Sequence, residues 1–463
     1  MVLEIKPLVN PIVKDFINNY SKLVSNTTLL VDEGVKHIIF PQVMEENINK
    51  IKEELTDGNA ELYLAMKSTH SLGLIEEAKK QEVGIEVSSL GELEVALEKG
   101  FKKIIAGGPK NNSYLKKSIG ANTLISVDSI DELRKIVRTG NKARIMLRIS
   151  NPESIGKNVL IKTSRFGIRK KEIEDALNII TENKERIILE GFHFHADGYD
   201  AETKKGFIMY FFNLISECNK KGLNQIKYIN IGGGFRHSLI EDQNTWLKYI
   251  RQLENDLTEG NDIKVWGNYT YGMSINEKGK VSGRTIAESK GVKNDYISEI
   301  KTILYSKIQG SNFTISDLLF ENDFTLILEP GFALSTTAGI TIIDVIGTKT
   351  TPCKAELILL DGHMFSLSVN MIEHLTDPHL ISMNDSKEEY EAYLIGSLCR
   401  EDDFLMKRKV KFPNKPEEGD KLIFLNTGSY AMSYEQCTPQ RHQKPKYIRA
   451  TKNNDTWEIN NDN

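Results

Sequence analysis

The residues of this sequence best suited to chemistry are polar ones that interrupt or close short apolar runs. Lys67 follows LYLAM (62–66), Glu86 and Ser88 stand inside VGIEVSS (83–89), and Gly107 and Gly108 close KKIIAGG (102–108). Asp128 falls near the end of TLISVDS (123–129), Arg148 lies in RIMLRIS (144–150), and His193 and His195 lie in IILEGFHFHAD (187–197). Gly232, Gly233 and Gly234 end IKYINIGGG (226–234), and Glu329 follows the apolar part of FTLILEPG (324–331).

Each of these suits a distinct reaction and also has a plainer reading. A lysine partly desolvated at a strand end has its pKa lowered, which leaves a neutral amine able to form a Schiff base; the alternative is a lysine extended into water. Three successive glycines bring backbone N–H groups close to a phosphate, or simply make a loop. A carboxylate at the end of an apolar strand, as at Glu329, needs a cationic or hydrogen-bonding partner. Arg148 would serve, and so would a protonated ring nitrogen. His193 and His195 are two apart and face the same side. HxH is half of a metal site, but no matching Asp/His cluster stands at the other strand ends, so no metal is expected. A hydrogen-bonded core histidine is the alternative.

The elements that must position these groups follow from the rhythm of the chain. Eight short runs rich in apolar or β-branched residues alternate with helix-like stretches such as 71–82, 90–100, 168–185 and 203–221. Near-continuous apolar strands are what a parallel sheet covered on both faces requires. Eight strand–helix units predict an α/β fold, a (β/α)8 barrel, in which catalytic groups gather at the carboxyl ends of the strands. The flanks differ. Residues 28–40 read as a hairpin around Asp32-Glu33-Gly34, followed by a helix at 42–55. After 338, GITIIDVIGTK, AELILLD, AYLIGSLC, KLIFLNTG and SYAMS read as short strands of an all-β domain. The expected division is an N-terminal segment 1–44 belonging to the β domain, a barrel over 45–333 with an insertion at about 265–323, and a β domain over 334–463. The polar tail after Lys446 reads as frayed.

Composition narrows the function classes. Sixty basic against 64 acidic side chains, a net −4, give no field for non-specific attraction to nucleic acid or membranes. No apolar run approaches the roughly 20 residues of a membrane span. The amino terminus lacks a signal-peptide pattern, and Cys218, Cys353, Cys399 and Cys437 form no C-x-x-C, so a reducing, cytoplasmic setting is expected.

A Schiff-base lysine, a phosphate-binding GGG and a buried glutamate at one barrel mouth together describe a pyridoxal-phosphate site. Segment by segment the sequence also resembles the fold-type III pyridoxal-phosphate-dependent decarboxylases that act on ornithine, diaminopimelate and arginine. The stretches that carry the resemblance are YLAMKS, GIEVSSLGEL, SRFGI (164–168), FHFHADG, NIGGGF (230–235), ILEPG (327–331), GSLCREDD (396–403) and NTGSYAMS (426–433). It spans roughly 30–445, in order, and is strongest to a branch with a long insertion before the last barrel strand. The resemblance implies a TIM-like barrel of the alanine-racemase type and pyridoxal 5'-phosphate as cofactor. It implies that Lys67 forms the internal aldimine, His195 stacks on the pyridine ring and Glu329 pairs with the ring nitrogen. It implies that Gly232, Gly233, Gly234 and Tyr430 hold the phosphate, that Glu86 and Arg148 line the cofactor, and that Gly331 is also among the cofactor-binding residues. It further implies a homodimer with active sites at the subunit interface, Cys399 reaching in from the other subunit as the acid that protonates the decarboxylated carbanion, and Asp402 or Asp403 reading the distal part of the substrate. A carboxylate opposite the pyridine nitrogen keeps it protonated, which favours decarboxylation over racemisation.

Four positions depart from the family pattern. Phe332 stands where an arginine follows EPG, Gly198 where a serine is expected, Arg400 where an acid follows the cysteine, and Asn426 where an acid opens the tyrosine segment. Losing an arginine–phosphate pair removes a contact worth about 1.5–3 kcal/mol, so weaker cofactor affinity is expected rather than none. A basic Arg400 points to a substrate whose distal end carries a carboxylate rather than an amine. The alternatives to a decarboxylase are a catalytically impaired regulatory homologue of one and, more weakly, a metal-dependent barrel hydrolase using His193 and His195.

Overall fold

The computed structural model describes residues 2–150, 164–195, 200–235, 238–261, 263, 265–289, 291, 295–367, 374–382, 388–434 and 439–462. Gly198 and Cys437 lie outside them.

All eight apolar runs are strands, and they close into one parallel barrel. In chain order they are β1 (Ala60–Ala65), β2 (Gly84–Val87), β3 (Ile104–Ala106), β4 (Leu124–Val127), β5 (Ala143–Arg148), β6 (Ile187–His193), β7 (Tyr228–Asn230) and β8 (Thr325–Leu328). Closure comes from β8, which pairs with β7 through Leu326↔Ile229 and with β1 through Ile327↔Glu61. Successive side chains of a strand point to opposite faces, so each strand feeds both the barrel interior and the helical layer. Tyr63, Ile105, Leu124, Met146 and Ile327 pack together inside, while Leu62, Leu64, Ile85, Ile104, Ile125, Ile145, Leu326 and Leu328 join the core beneath the helices.

That period of two decides what reaches the mouth. Two residues beyond the interior Ile105, Leu124, Met146, Tyr228 and Ile327 come Gly107, Ser126, Arg148, Asn230 and Glu329, joined by Glu86 and His193 on the same side. A polar layer thus caps an apolar plug. Register is pinned by a bulge between β5 and β6, where the pairing shifts past Glu190. Glu190 is held there by both arms of Arg144 at 2.8 Å.

The expected helices form at Leu72–Lys80, Leu90–Glu98, Ile173–Glu182, Ala201–Lys220 and Pro41–Leu55. Ser71 and Ser89 cap the first two through hydrogen bonds to the N–H groups of Leu74 and Glu92.

A separate nine-stranded sheet is built around the long strand Gly339–Thr350, which pairs with Lys36–Ile39, Glu356–Leu360 and Lys421–Leu425. The hairpin expected over 28–40 does not form. Thr28–Leu30 make a 3-10 turn capped by Thr27, and Lys36–Ile39 is a lone strand between Gly339–Thr350 and Lys446–Asn453. SYAMS is likewise no strand, since Ala431–Tyr434 is a helical turn entered through Tyr430 at φ +50°. The tail read as frayed is a hairpin, Lys446–Asn453 with Thr456–Asn461. Its apolar residues (Ile448, Ala450, Trp457, Ile459) alternate with polar ones and dock on the main core. Its last described residue, Asp462, is buried and accepts from Ser71 Oγ at 2.6 Å and from the Gly73 N–H at 2.7 Å.

The stretch read as an insertion divides in two. Val265, Tyr271, Met273 and Ala287 form a satellite core with Ile5, Trp246 and Ile250, and the Trp266 ring lies 4.4 Å from that of Phe404. Helices Tyr296–Tyr305 and Ile315–Glu321 instead give Ile300, Ile303, Leu304, Ile315 and Leu319 to the main core. Among the described residues no helix is long and apolar enough to cross a membrane.

Candidate active site

Lys67 follows β1 in a 3-10 turn, Met66–Ser68, with its side chain 35% exposed toward the mouth. Its Nζ stands 3.8 Å from Glu86 Oε2. Glu86 is buried; Ser88 Oγ donates to its Oε1 at 3.1 Å. A Cβ at Gly107 would fall 2.1 Å from that same oxygen, so the glycine is what admits the carboxylate. The Glu86 charge outweighs burial and holds the Lys67 ammonium above its ordinary pKa. This reverses the lowering expected from desolvation alone: the carboxylate contributed by the next strand decides the sign.

Glu329 is 2% exposed. Burial first, and then repulsion from Glu86, push its pKa up to about 7. Asn230 Nδ2 donates to its Oε1 at 2.6 Å, and Asn230 Oδ1 accepts from the Gly232 N–H at 2.8 Å. Its other oxygen, Oε2, is 3.8 Å from His193 Nε2. Arg148, considered above as a partner for Glu329, has Asp128 at 3.7 Å and packs over the Phe166 ring at 4.4 Å; it acts on Glu329 only through its field. Both histidines are held well below their ordinary pKa by burial and by nearby cations, so both rings are neutral.

The glycine loop is built into this network. Gly232 (φ +65°) and Gly234 (φ +81°) adopt left-handed backbone. The N–H of Gly232 goes to Asn230 and that of Gly233 to His195 Nδ1 at 3.3 Å, so either amide must exchange a bond before it can meet a phosphate. On the other wall the Tyr430 N–H donates to the Ser68 carbonyl at 2.7 Å. A Cβ at Gly331 would fall 2.6 Å from Ser68 Cβ and 3.4 Å from the Tyr430 hydroxyl. Lys67, Gly331 and Tyr430 therefore meet, although they come from the barrel's first strand, its last strand and the β domain. Phe332 opens the short helix Phe332–Ser335, and Asn426, which departs from the expected acid, donates to the Leu8 carbonyl.

The sequence reading missed Ser126 and Asn230. Ser126 Oγ is 2.7 Å from His193 Nδ1, and Asn230 bridges Glu329 to the glycine loop. Their signal was present, since each is a lone polar residue at an interior position of an apolar strand. The third ligand that HxH lacked also appears: ligand atoms of His193, His195 and Glu329 lie within 4.8 Å of one another. The neighbouring Lys67 and Arg148 cations oppose a metal ion there.

The β-domain residues divide between the surface and the interior. Cys399 is exposed on the turn between strands Tyr390–Ile395 and Phe404–Phe412, where its N–H donates to Gln440 Oε1 at 2.9 Å. Arg400 is tied to Asp402 by two bonds of 2.7 and 2.6 Å, which cancels the lone positive charge read from the sequence. Asp403, expected with Asp402 to read substrate, is 2% exposed and accepts from the N–H groups of Met364 and Leu398 at 2.7 and 2.9 Å. It clamps the Cys399 turn to the neighbouring loop. Asp403→Ala is expected to cost about 1.5–3 kcal/mol, the range for a hydrogen-bonded charged group, with Asp403→Asn costing less; urea denaturation reads both.

The mouth fits a flat heteroaromatic cofactor carrying an aldehyde and a phosphate. Glu86 Oε2 and His193 Nε2 are buried without a hydrogen-bond partner. Added Cβ atoms at Gly232, Gly233 and Gly331 would stand within 2.7 Å of the surrounding wall, so bare backbone lines the floor. A primary amine and a buried carboxylate face the same space.

Known proteins agree. Residues 42–266 match the family described as pyridoxal-dependent decarboxylase, pyridoxal binding domain. The protein y4yA of Sinorhizobium fredii is 27% identical over 458 residues, 95% of this chain and 92% of that protein. A probable chloroplastic diaminopimelate decarboxylase of Oryza sativa subsp. japonica is 24% identical over 427 residues, 88% of this chain and 73% of that one. Among solved structures, a single-residue mutant of diaminopimelate decarboxylase from Helicobacter pylori, complexed with L-lysine, matches with a TM-score of 0.67 at 18% identity over 95% of both chains. With a closed barrel, an amine and a carboxylate converging on its mouth, and a matching pyridoxal-binding domain, the chain belongs to the fold-type III family of pyridoxal-phosphate-dependent decarboxylases.

Proposed function

We propose that this chain decarboxylates an amino acid or an amino-acid-containing intermediate, with Lys67, Glu329 and Cys399 as the principal groups. The observation that carries the reading is the meeting of Lys67, Glu86, Arg148, His195 and Glu329 at one barrel mouth, each within the electrostatic reach of others. Bound pyridoxal phosphate supplies the electron sink for the pair of electrons left when CO2 departs. The protein does the rest. Lys67 Nζ would hold the cofactor's aldehyde carbon, and Glu86, 3.8 Å away, would take the proton that this amine must give up. Glu329 offers a negative charge to the ring nitrogen, an interaction that lowers its own raised pKa. His195, kept neutral, would stack on the ring without competing for that charge. Gly234, Gly331 and Tyr430 hold the phosphate, with Gly232 and Gly233 able to join once their internal bonds exchange.

Cys399 supplies the proton that replaces CO2. Its exposure on a single chain supports a site completed across a dimer, where the turn held by Asp403 and Gln440 enters the mouth of the partner subunit. Cys399→Ala is expected to lower CO2 release about 10²–10⁴-fold, the usual worth of a positioned acid, while leaving lysine-bound cofactor intact. Mixing the inactive Cys399→Ala and Lys67→Ala variants should restore activity, because hybrid dimers rebuild one complete site; mixtures that stay inactive refute the shared site.

The substrate's distal group meets Arg400 only if the Arg400–Asp402 pair opens. A panel of amino acids, followed by cofactor absorbance and CO2 together, tests this. Best turnover of a diamine precursor such as ornithine would rule out a distal carboxylate, and a protein that stays colourless in excess pyridoxal phosphate would favour the regulatory reading.

A further inference from the structure

His193 is a buried titratable group of the mouth to which the proposed mechanism gives no task. It is 3% exposed, with Nδ1 2.7 Å from Ser126 Oγ and Nε2 without a hydrogen-bond partner, 3.8 Å from Glu329 Oε2. An imidazole whose second nitrogen is buried and unsatisfied carries a standing cost, and such sites are retained when the unspent nitrogen serves something. The neutral ring has one proton to place, and its two neighbours determine where. If the Ser126 hydroxyl donates to Nδ1, the proton sits on Nε2 and faces Glu329. If Nδ1–H donates to Ser126, Nε2 becomes an acceptor facing Glu329. The first arrangement complements a carboxylate and the second a carboxylic acid.

We propose that His193 is a positioning residue for Glu329: with its tautomer set by Ser126, it lends Nε2–H to Oε2 while Asn230 holds Oε1, so that the carboxylate stays ionised and turned toward the cofactor's ring nitrogen. A histidine whose orientation is fixed by a hydroxyl, and which in turn fixes a carboxylate, is an outer layer of support of the kind that tunes ligand basicity elsewhere. The inference rests on the reading that Glu329 faces that nitrogen. The charged groups around the pair come from most of the barrel. Glu86 opposes ionisation of Glu329, while Lys67 and Arg148 favour it. Arg148, His195, Lys67 and Lys110 all oppose a charge on His193, so the ring acts as a dipole rather than as a cation. Removing it leaves Asn230 as the remaining hydrogen-bond donor to Glu329 among the described residues.

The test is the pH dependence of pyridoxal-phosphate affinity, read by fluorescence quenching on cofactor-free protein, with the pH profile of kcat beside it. In the unaltered protein, affinity rises with pH through the ionisation of Glu329 and then levels; Glu329→Gln should abolish that rise. His193→Phe should move the rise upward by about one pH unit, equal to about a tenfold affinity loss at pH values below the rise, and lower kcat with little change in KM. His193→Gln, which keeps an N–H donor, should move it back. Ser126→Ala, which removes one oxygen and is the milder change, should shift the rise in the same direction by less, and it decides the matter if His193→Phe does not fold. A rise that stays at the same pH in folded His193→Phe or Ser126→Ala overturns the inference. If the unaltered protein binds no pyridoxal phosphate, or if Glu329→Gln leaves the rise in place, it is the reading of the site itself that fails.

Discussion

Lys67→Ala protein purified in excess pyridoxal phosphate is expected to lack the absorption band of lysine-bound cofactor, and CO2 release should fall by at least about 10³-fold. The magnitude follows from the proposed role, in which one side chain supplies both the covalent hold on the cofactor and a proton-transferring amine, the latter alone worth about 10²–10⁴-fold. Loss of the band and of turnover together separates this role from a structural one, since Lys67 is a third exposed and no hydrophobic packing depends on it. The pairing with Glu86 adds a sign. Glu86 raises the Lys67 pKa, so Glu86→Gln should lower it and speed cofactor attachment at neutral pH, even while the cofactor's lining is impaired. Attachment slowed at every pH would contradict the electrostatic account.

The second large effect concerns Glu329. Glu329→Gln keeps the shape and one acceptor for Asn230 but cannot carry the negative charge, and turnover should fall about 10²–10³-fold, the cost of removing one preorganised electrostatic group. The cofactor-free protein should respond in the opposite sense. A buried acid with its pKa raised to about 7 is fully accommodated while protonated and penalised once ionised. Its contribution to stability is therefore complete below an unfolded value near 4 and is lost as pH rises through about 7. Cofactor-free Glu329→Gln should consequently melt higher than the unaltered protein at pH 8 and nearly level with it at pH 5. Adding pyridoxal phosphate should reverse the order at pH 8, because only the carboxylate gains a cationic partner. Thermal scans at the two pH values, with and without cofactor, measure both signs. Equal melting temperatures throughout would mean that the carboxylate is not buried unpaired.

Much of the barrel was legible because its signal is local. An apolar run buried on both faces needs no knowledge of its neighbours, and the glycines and charged residues that end each run mark the mouth. The β domain was legible only in part. GITIIDVIGTK reads as a strand because seven of its residues are β-branched, whereas the hairpin after Lys446 hides its buried Ile448 and Ala450 among polar partners that face outward. Residues 28–40 misled because a turn sequence, DEG, precedes a strand whose partners come from 339–350 and 446–453. Turn chemistry names a bend and leaves the pairing open.

By itself the sequence determined the eight strands, the residues that close them, and the order of motifs that marks a pyridoxal-phosphate decarboxylase, because each is written within a few adjacent residues. Whatever depended on the distance between strands was decided by the tertiary structure. The amine of Lys67 is held charged because β2 sets Glu86 3.8 Å from it. Asp403 clamps a turn because two backbone N–H groups from separate loops converge on it. Ser126 and Asn230 matter because barrel closure turns them inward beside His193 and Glu329. Electrostatic and hydrogen-bond energies fall off with separation in space, and closing the barrel sets those separations for residues far apart in the chain.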